Sequence, residues 1–200
     1  MKSINQYITE KLKIRKSSYK YFPKTKEELK VIIIQLIKER GNESDFNDID
    51  TSKITDMSEL FYTIGNFNGD ISEWDVSNVK DMGWMFYECE SFNQDISNWD
   101  LSNVTNIGHM FDSCKSFNQD ISNWNVSNVT NMKYMFFVCK SFNGDISNWD
   151  VSKVTDMRDM FYKCGLFNQD ISKWDVSNVK HFEDIFYNCQ IEGKYKPKFK

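Results

Sequence analysis

Cys89, Cys114, Cys139, Cys164 and Cys189 stand 25 residues apart, and thiols at a fixed spacing raise three chemistries: disulfide bonding, zinc ligation and nucleophilic attack. Bridging is disfavoured because the number is odd and because equivalent positions of stacked repeats hold their Cβ vectors parallel, which is poor disulfide geometry. Zinc needs ligands grouped at short spacing, whereas the chain has no close cysteine pair and its only imidazoles are His109 and His181. Free thiols filling a core are the expectation. The recurring Asn68, Asp70, Asp75 and Asn78 carry the oxygen ligands that calcium prefers, yet the Gly-Gly-x-Gly-x-Asp nonapeptides of calcium-binding rolls are missing. Side chains of this type more often turn the chain by bonding nearby backbone amides. Almost every candidate Ser, Asp or Cys nucleophile recurs in near-identical copies, so none is made unlike its neighbours as catalysis requires. No Gly-rich phosphate loop is present. The reading is therefore a protein that is not an enzyme and holds neither metal nor cofactor.

The elements that position these residues repeat. Trp74, Trp99, Trp124, Trp149 and Trp174 keep the 25-residue step, as do Phe67 and Ile71 with their copies. The unit reads F-N-x-D-I-S-x-W-D-V-S-N-V-x-x-M-x-x-M-F-x-x-C-x-x, five times over about 67–191, with a half unit at 54–61 before it. A unit this short cannot bury its own apolar side chains, whereas stacked units make one continuous core. The expected fold is an α/β repeat solenoid. Each rung would hold a short parallel strand near 69–73 and one or two turns of α or 3-10 helix, because Val79, Met82, Met85, Phe86 and Cys89 follow helical spacing.

Three segments are expected: an N-terminal α/β cap over 1–50, the repeat solenoid over 51–191 and a basic, solvated tail over 192–200. In the cap, Ile4, Ile8 and Leu12 suggest an amphipathic helix over 2–16, and Thr25-Lys26-Glu27-Glu28 opens a second helix that stops at Gly41. Asp45 to Asp50 is expected to enter the sheet as a first strand. No apolar run is long enough to span a membrane, and the N-terminus reads as neither a secretory signal nor a lipidated cysteine. These absences suggest a cytoplasmic or virion-associated location.

Residues 51–189 hold 10 basic and 20 acidic side chains, which argues against nucleic-acid binding through the solenoid. Comparing the repeats with one another separates scaffold from free positions. The free ones form two aromatic-rich stripes, Glu59, Trp84, His109, Tyr134, Asp159, Asp184 and Tyr62, Tyr87, Asp112, Phe137, Tyr162, Tyr187. Either these stripes are exposed, with the composition of interface hot spots, or some of them pack over the helices or against adjacent rungs. Candidate partner-binding residues are Trp84, Tyr87, His109, Tyr134, Phe137, Asp159 and Tyr162. The ladder of Asp70, Ser72 and their copies offers a flatter face suited to a repetitive ligand.

The motif resembles the 25- to 26-residue repeat of the BspA-like leucine-rich-repeat surface proteins over roughly 54–191. The resemblance implies a leucine-rich-repeat-like solenoid and a binding role, and carries no catalytic residue. The expected function is a protein-interaction module with a protein partner. The alternative is a structural or adhesive component of a virion or cell surface that binds carbohydrate or assembles with itself. Mimicry of nucleic acid by the acidic middle is a third reading. The sequence leaves the oligomeric state open.

Overall fold

The structure is a computed structural model that describes residues 18–199. The helix expected over 2–16 lies outside the described residues. The second one forms as α1, Lys26–Arg40. Thr25 Oγ1 accepts from the Glu28 N–H at 3.3 Å, the Glu28 carboxylate accepts from the Lys24 N–H at 2.7 Å, and Gly41 ends the helix at φ 89°. Leu29, Ile33 and Leu36 are buried in the core that the first rungs share. Lys26 Nζ reaches Asp56 at 2.8 Å and Ser58 at 2.9 Å, and Lys30 Nζ donates to the Glu59 carbonyl at 3.1 Å, so α1 sits across the start of the stack.

The α/β architecture is not what the repeats build. Among the described residues the chain beyond α1 holds no strand and no α-helix, only isolated parallel bridges, such as Asp56 to Asp81 and Asp81 to Asn106, and one 3-10 turn at Gly193–Tyr195. The sheet of a leucine-rich-repeat-like solenoid is absent among them, and 45–50 likewise forms turns and single bridges. Instead each rung is a closed series of turns, and its sequence shows why. Asp70, Asp75 and Asp81 each accept, through Oδ1, the backbone N–H two residues on, at 2.9, 3.1 and 2.8 Å. Backbone turns follow, Trp74 N–H to the Ile71 carbonyl at 3.1 Å and Val79 N–H to the Val76 carbonyl at 2.9 Å. The Asp side chains thus bend the chain where alternating polarity suggested an extended strand.

Over 82–89 the N–H groups of Met85, Tyr87 and Cys89 bond the carbonyl three residues back. An α-helix is excluded because Trp84 and Glu88 sit at φ 62° and 58°, the positive value that the third residue of a type II turn requires. The intervening N–H groups of Met82, Trp84, Phe86 and Glu88 point to the next rung and donate to Asn106, Gly108, Met110 and Asp112 at 2.9 to 3.0 Å. Turns of three residues put Met82, Met85, Phe86 and Cys89 inward, the same spacing a helix gives.

The core is a set of columns. Phe61, Phe86, Phe111, Phe136, Phe161 and Phe186 stack at 5.3 to 5.8 Å, beside a second column running from Phe67 to Phe167. Each repeat tryptophan is buried and donates its indole N–H to a carbonyl of the preceding rung, Trp124 to Ile96 at 3.0 Å. At the start of the stack Phe46 fills the place that Ile71 holds one rung later, and a Cβ on Gly69 would come within 2.4 Å of its ring. The C-terminal segment departs from the solvated tail expected for it. The Tyr195 carbonyl accepts from the Ile171 N–H at 3.1 Å, Pro197 is buried and Phe199 stacks on Phe182 at 4.7 Å. Its aromatic and proline side chains cover the last rung, which outweighs the pull of its lysines toward water.

Candidate functional site

The turns over 82–89 and their copies fix where the variable side chains go. Twelve non-glycine residues among those described have positive φ, and they fall in two columns: Glu59, Trp84, His109, Tyr134, Asp159, Asp184 and Thr63, Glu88, Ser113, Val138, Lys163, Asn188. The first is one of the two variable stripes. An L residue in this region carries a backbone cost of about 1 kcal/mol or more, and here cross-rung hydrogen bonds on both sides enforce it.

The structure brings all seven candidate residues into one ribbon. Trp84 lies 5.0 Å from Tyr87 and stacks on the His109 ring at 3.5 Å; His109 stacks on Tyr134 at 4.5 Å; Tyr134 meets Phe137 at 5.4 Å; and Phe137 stacks on Tyr162 at 4.8 Å. Asp159 lies beside Tyr134. Tyr62 and Tyr187 extend the ribbon at either end, stacking on Tyr87 and Tyr162 at 4.8 and 4.9 Å, and are 39% and 50% exposed. The rings between are mostly half-buried: His109 and Tyr162 are stacked on both faces, and Trp84, Tyr87, Tyr134 and Phe137 each on one. Neither a bare patch nor a packed layer describes this: the stack closes at least one face of every ring and leaves the rest of the ribbon half-exposed.

At the centre His109 and Asp112 are buried. His109 Nδ1 lies 3.0 Å from Asp112 Oδ2, and the Ser113 hydroxyl donates to Asp112 Oδ1 at 2.9 Å. Asp112 was visible in the variable stripe but not as the carboxylate that holds His109; its i+3 offset from the histidine was the available signal. The two rings flanking this pair are electrostatically conditioned. Burial and the adjacent Glu88 carboxylate push the Tyr87 phenol up to about 12. A hydrogen bond to Asp159, together with burial, raises Tyr134.

The other chemistry-bearing columns are occupied by the scaffold. Cys89, Cys114, Cys139 and Cys164 are buried free thiols that donate to carbonyls of the preceding rung at 3.0 to 3.2 Å. Burial pushes Cys89 up to about 12, which keeps its thiol protonated. Asp70, Asp95, Asp120, Asp145 and Asp170 each accept a serine N–H at 2.9 to 3.0 Å. Among the described residues no group of three or more His, Cys, Asp or Glu is placed to hold a metal ion, and no helix is long and apolar enough to cross a membrane. His181 is exposed on the last rung, away from His109.

Residues 33–137 and 119–192 match the family described as "Mycoplasma protein of unknown function, DUF285". The match spans most of the chain, which belongs to this repeat family. No curated protein and no solved structure matches the chain.

Proposed function

We propose that this chain is a non-enzymatic interaction module that presents the aromatic ribbon to a macromolecular partner. One observation carries the reading. The variable positions of two neighbouring columns hold rings that stack across the rungs: Trp84, His109 and Tyr134, which sit at positive φ where small polar residues are usual, beside Tyr62, Tyr87, Phe137, Tyr162 and Tyr187. A fold that tolerates free choice at these places and fills them with Trp, Tyr, His and Phe provides pre-ordered contact area, since stacked rings lose little side-chain entropy on binding. The binding role implied by the BspA-like motif agrees with this reading. Catalysis finds no support in the centre of the ribbon, where the His109 imidazole is stacked on both faces and bonded to Asp112.

The test is affinity capture from lysate of the producing cell, with the intact chain and a Trp84→Ala/Tyr134→Ala variant as baits and identification by mass spectrometry. A protein retained by the intact chain and lost with the variant, at unchanged melting temperature, is the expected result. A partner held equally by both places the binding face elsewhere and refutes the reading.

A further inference from the structure

The chemistry of the ribbon restricts what it binds, and this inference rests on the interaction reading above. Three adjacent columns face outward, beginning at Glu59, Tyr62 and Thr63. They hold the carboxylates of Glu59, Glu88, Asp112, Asp159 and Asp184 against the single ammonium of Lys163. That imbalance exceeds the one of 20 acidic to 10 basic residues over 51–189 as a whole. Glu59, Glu88 and Asp184 are exposed, Asp159 is half-buried, and Asp112 is turned inward to His109 and Ser113. Carboxylates therefore flank the strip of rings along its side and at its Asp184 end. At the Glu59 end, by contrast, Lys30 Nζ donates to the Glu59 carbonyl at 3.1 Å with Lys26 nearby, and the Arg158 guanidinium near Tyr134 is paired with Asp156.

We infer that the ribbon receives a basic polypeptide segment lying along the axis of the stack. Lys or Arg head groups meet the flanking carboxylates while their alkyl stems and intervening apolar side chains lie on the rings. The dimensions suit an extended segment. Six rungs at about 4.8 Å span about 24 Å, which about seven extended residues cover. A glycan would need bare ring faces to lie on, and stacking at 3.5 to 4.9 Å covers one face of every ring in the ribbon and both faces of His109 and Tyr162. A nucleic acid would bring phosphates against the carboxylates.

The experiment titrates the intact chain into fluorescein-labelled KLKLKLK and ELELELE peptides and reads anisotropy. The basic peptide is expected to bind and the acidic one not, and binding is expected to weaken steeply between about 0.1 M and about 1 M salt as the Debye length falls from about 10 to about 3 Å. Glu88→Gln/Asp159→Asn, which leaves every ring in place, is expected to cost about fivefold in affinity. Asp95→Asn/Asp145→Asn removes the same charge half a rung away and keeps its turns, because an amide oxygen still accepts the serine N–H; it is expected to change affinity less than about twofold. Equal losses in the two double variants overturn the inference, as does equal binding of the acidic peptide. If the charge variant is without effect while Tyr87→Ala/Phe137→Ala abolishes binding, a basic partner is refuted and the ribbon remains the binding face. Failure of either peptide to respond to ring or charge changes refutes both.

Discussion

Replacing Trp124 by Ala removes the largest side chain from the middle of the stack. Its ring is 3% exposed, lies 6.4 Å from the parallel Trp149 ring and 6.2 Å from Phe111, and donates its N–H to the Ile96 carbonyl at 3.0 Å. A buried tryptophan removes about 150–250 Å² from water, worth about 4–6 kcal/mol at about 25 cal/mol per Å². Large-to-small replacements of this type cost about 3–5 kcal/mol when the cavity relaxes in part. A loss of about 4 kcal/mol lowers the melting temperature by about 8–16 °C in a domain of this size. Trp124→Phe separates the two contributions, since it keeps most of the ring and orphans only the Ile96 carbonyl, at about 1–3 kcal/mol. Urea unfolding followed by fluorescence of the remaining tryptophans gives both values. A loss under about 1 kcal/mol in the Ala variant would refute the column as the source of stability.

The other predictions concern backbone, charge and thiols. Thr63 is exposed at φ 60°, so Thr63→Gly should be more stable than Thr63→Ala by about 0.5–1 kcal/mol, with the order reversed at exposed Asn98, whose φ is not positive; the same order at both sites would contradict the turn assignment. Hydrogen bonds from Ser122, Ser152 and Ser172 lower Asp120, Asp150 and Asp170 below the usual aspartate value of about 3.9. Their stabilisation is therefore full above that value and is lost as pH falls through the depressed folded-state values. Thermal melts should be flat from neutral pH down to about 5 and fall below about 4, and Asp→Asn at the three sites should shrink the acid fall; an unchanged profile refutes it. Iodoacetamide should modify half-buried Cys189 first and the other four thiols only after unfolding; uniform native labelling, read by mass spectrometry, would show that the thiol column is open.

Part of this architecture is readable in the residues and part is not, for reasons that lie in particular positions. Helix α1 is legible because Thr25 and Gly41 bracket it with local chemistry that hardly depends on the rest of the fold. The 25-residue register is legible because most buried columns repeat their residue type, Phe over Phe and Trp over Trp. The rung's internal conformation is not. Met82, Met85, Phe86 and Cys89 point inward at a spacing shared by helix and tandem turns, and the residues that decide between them, Trp84 and Glu88, are not the glycines that announce a positive φ. What forces them there is the pair of neighbouring rungs, a long-range cause that local propensity does not carry. The strand reading of 69–73 failed for a shorter-range reason, because Asp70 Oδ1 takes the Ser72 N–H and closes a turn. The ribbon's membership follows from internal comparison of the repeats. Its stacking does not, because ring contacts such as Trp84 on His109 depend on the separation between rungs.

The proposed binding of partners on the aromatic ribbon is open to a direct measurement. Hydroxyl-radical footprinting of the intact chain, alone and with the captured partner, makes that measurement, because aromatic side chains report their own exposure as oxidation. Protection of Tyr62, Trp84, Tyr134, Phe137, Tyr162 and Tyr187 on binding, with exposed residues outside the ribbon such as Phe22 and Leu166 unchanged, is the predicted result. Unchanged oxidation of the ribbon rings while the partner is bound would contradict it.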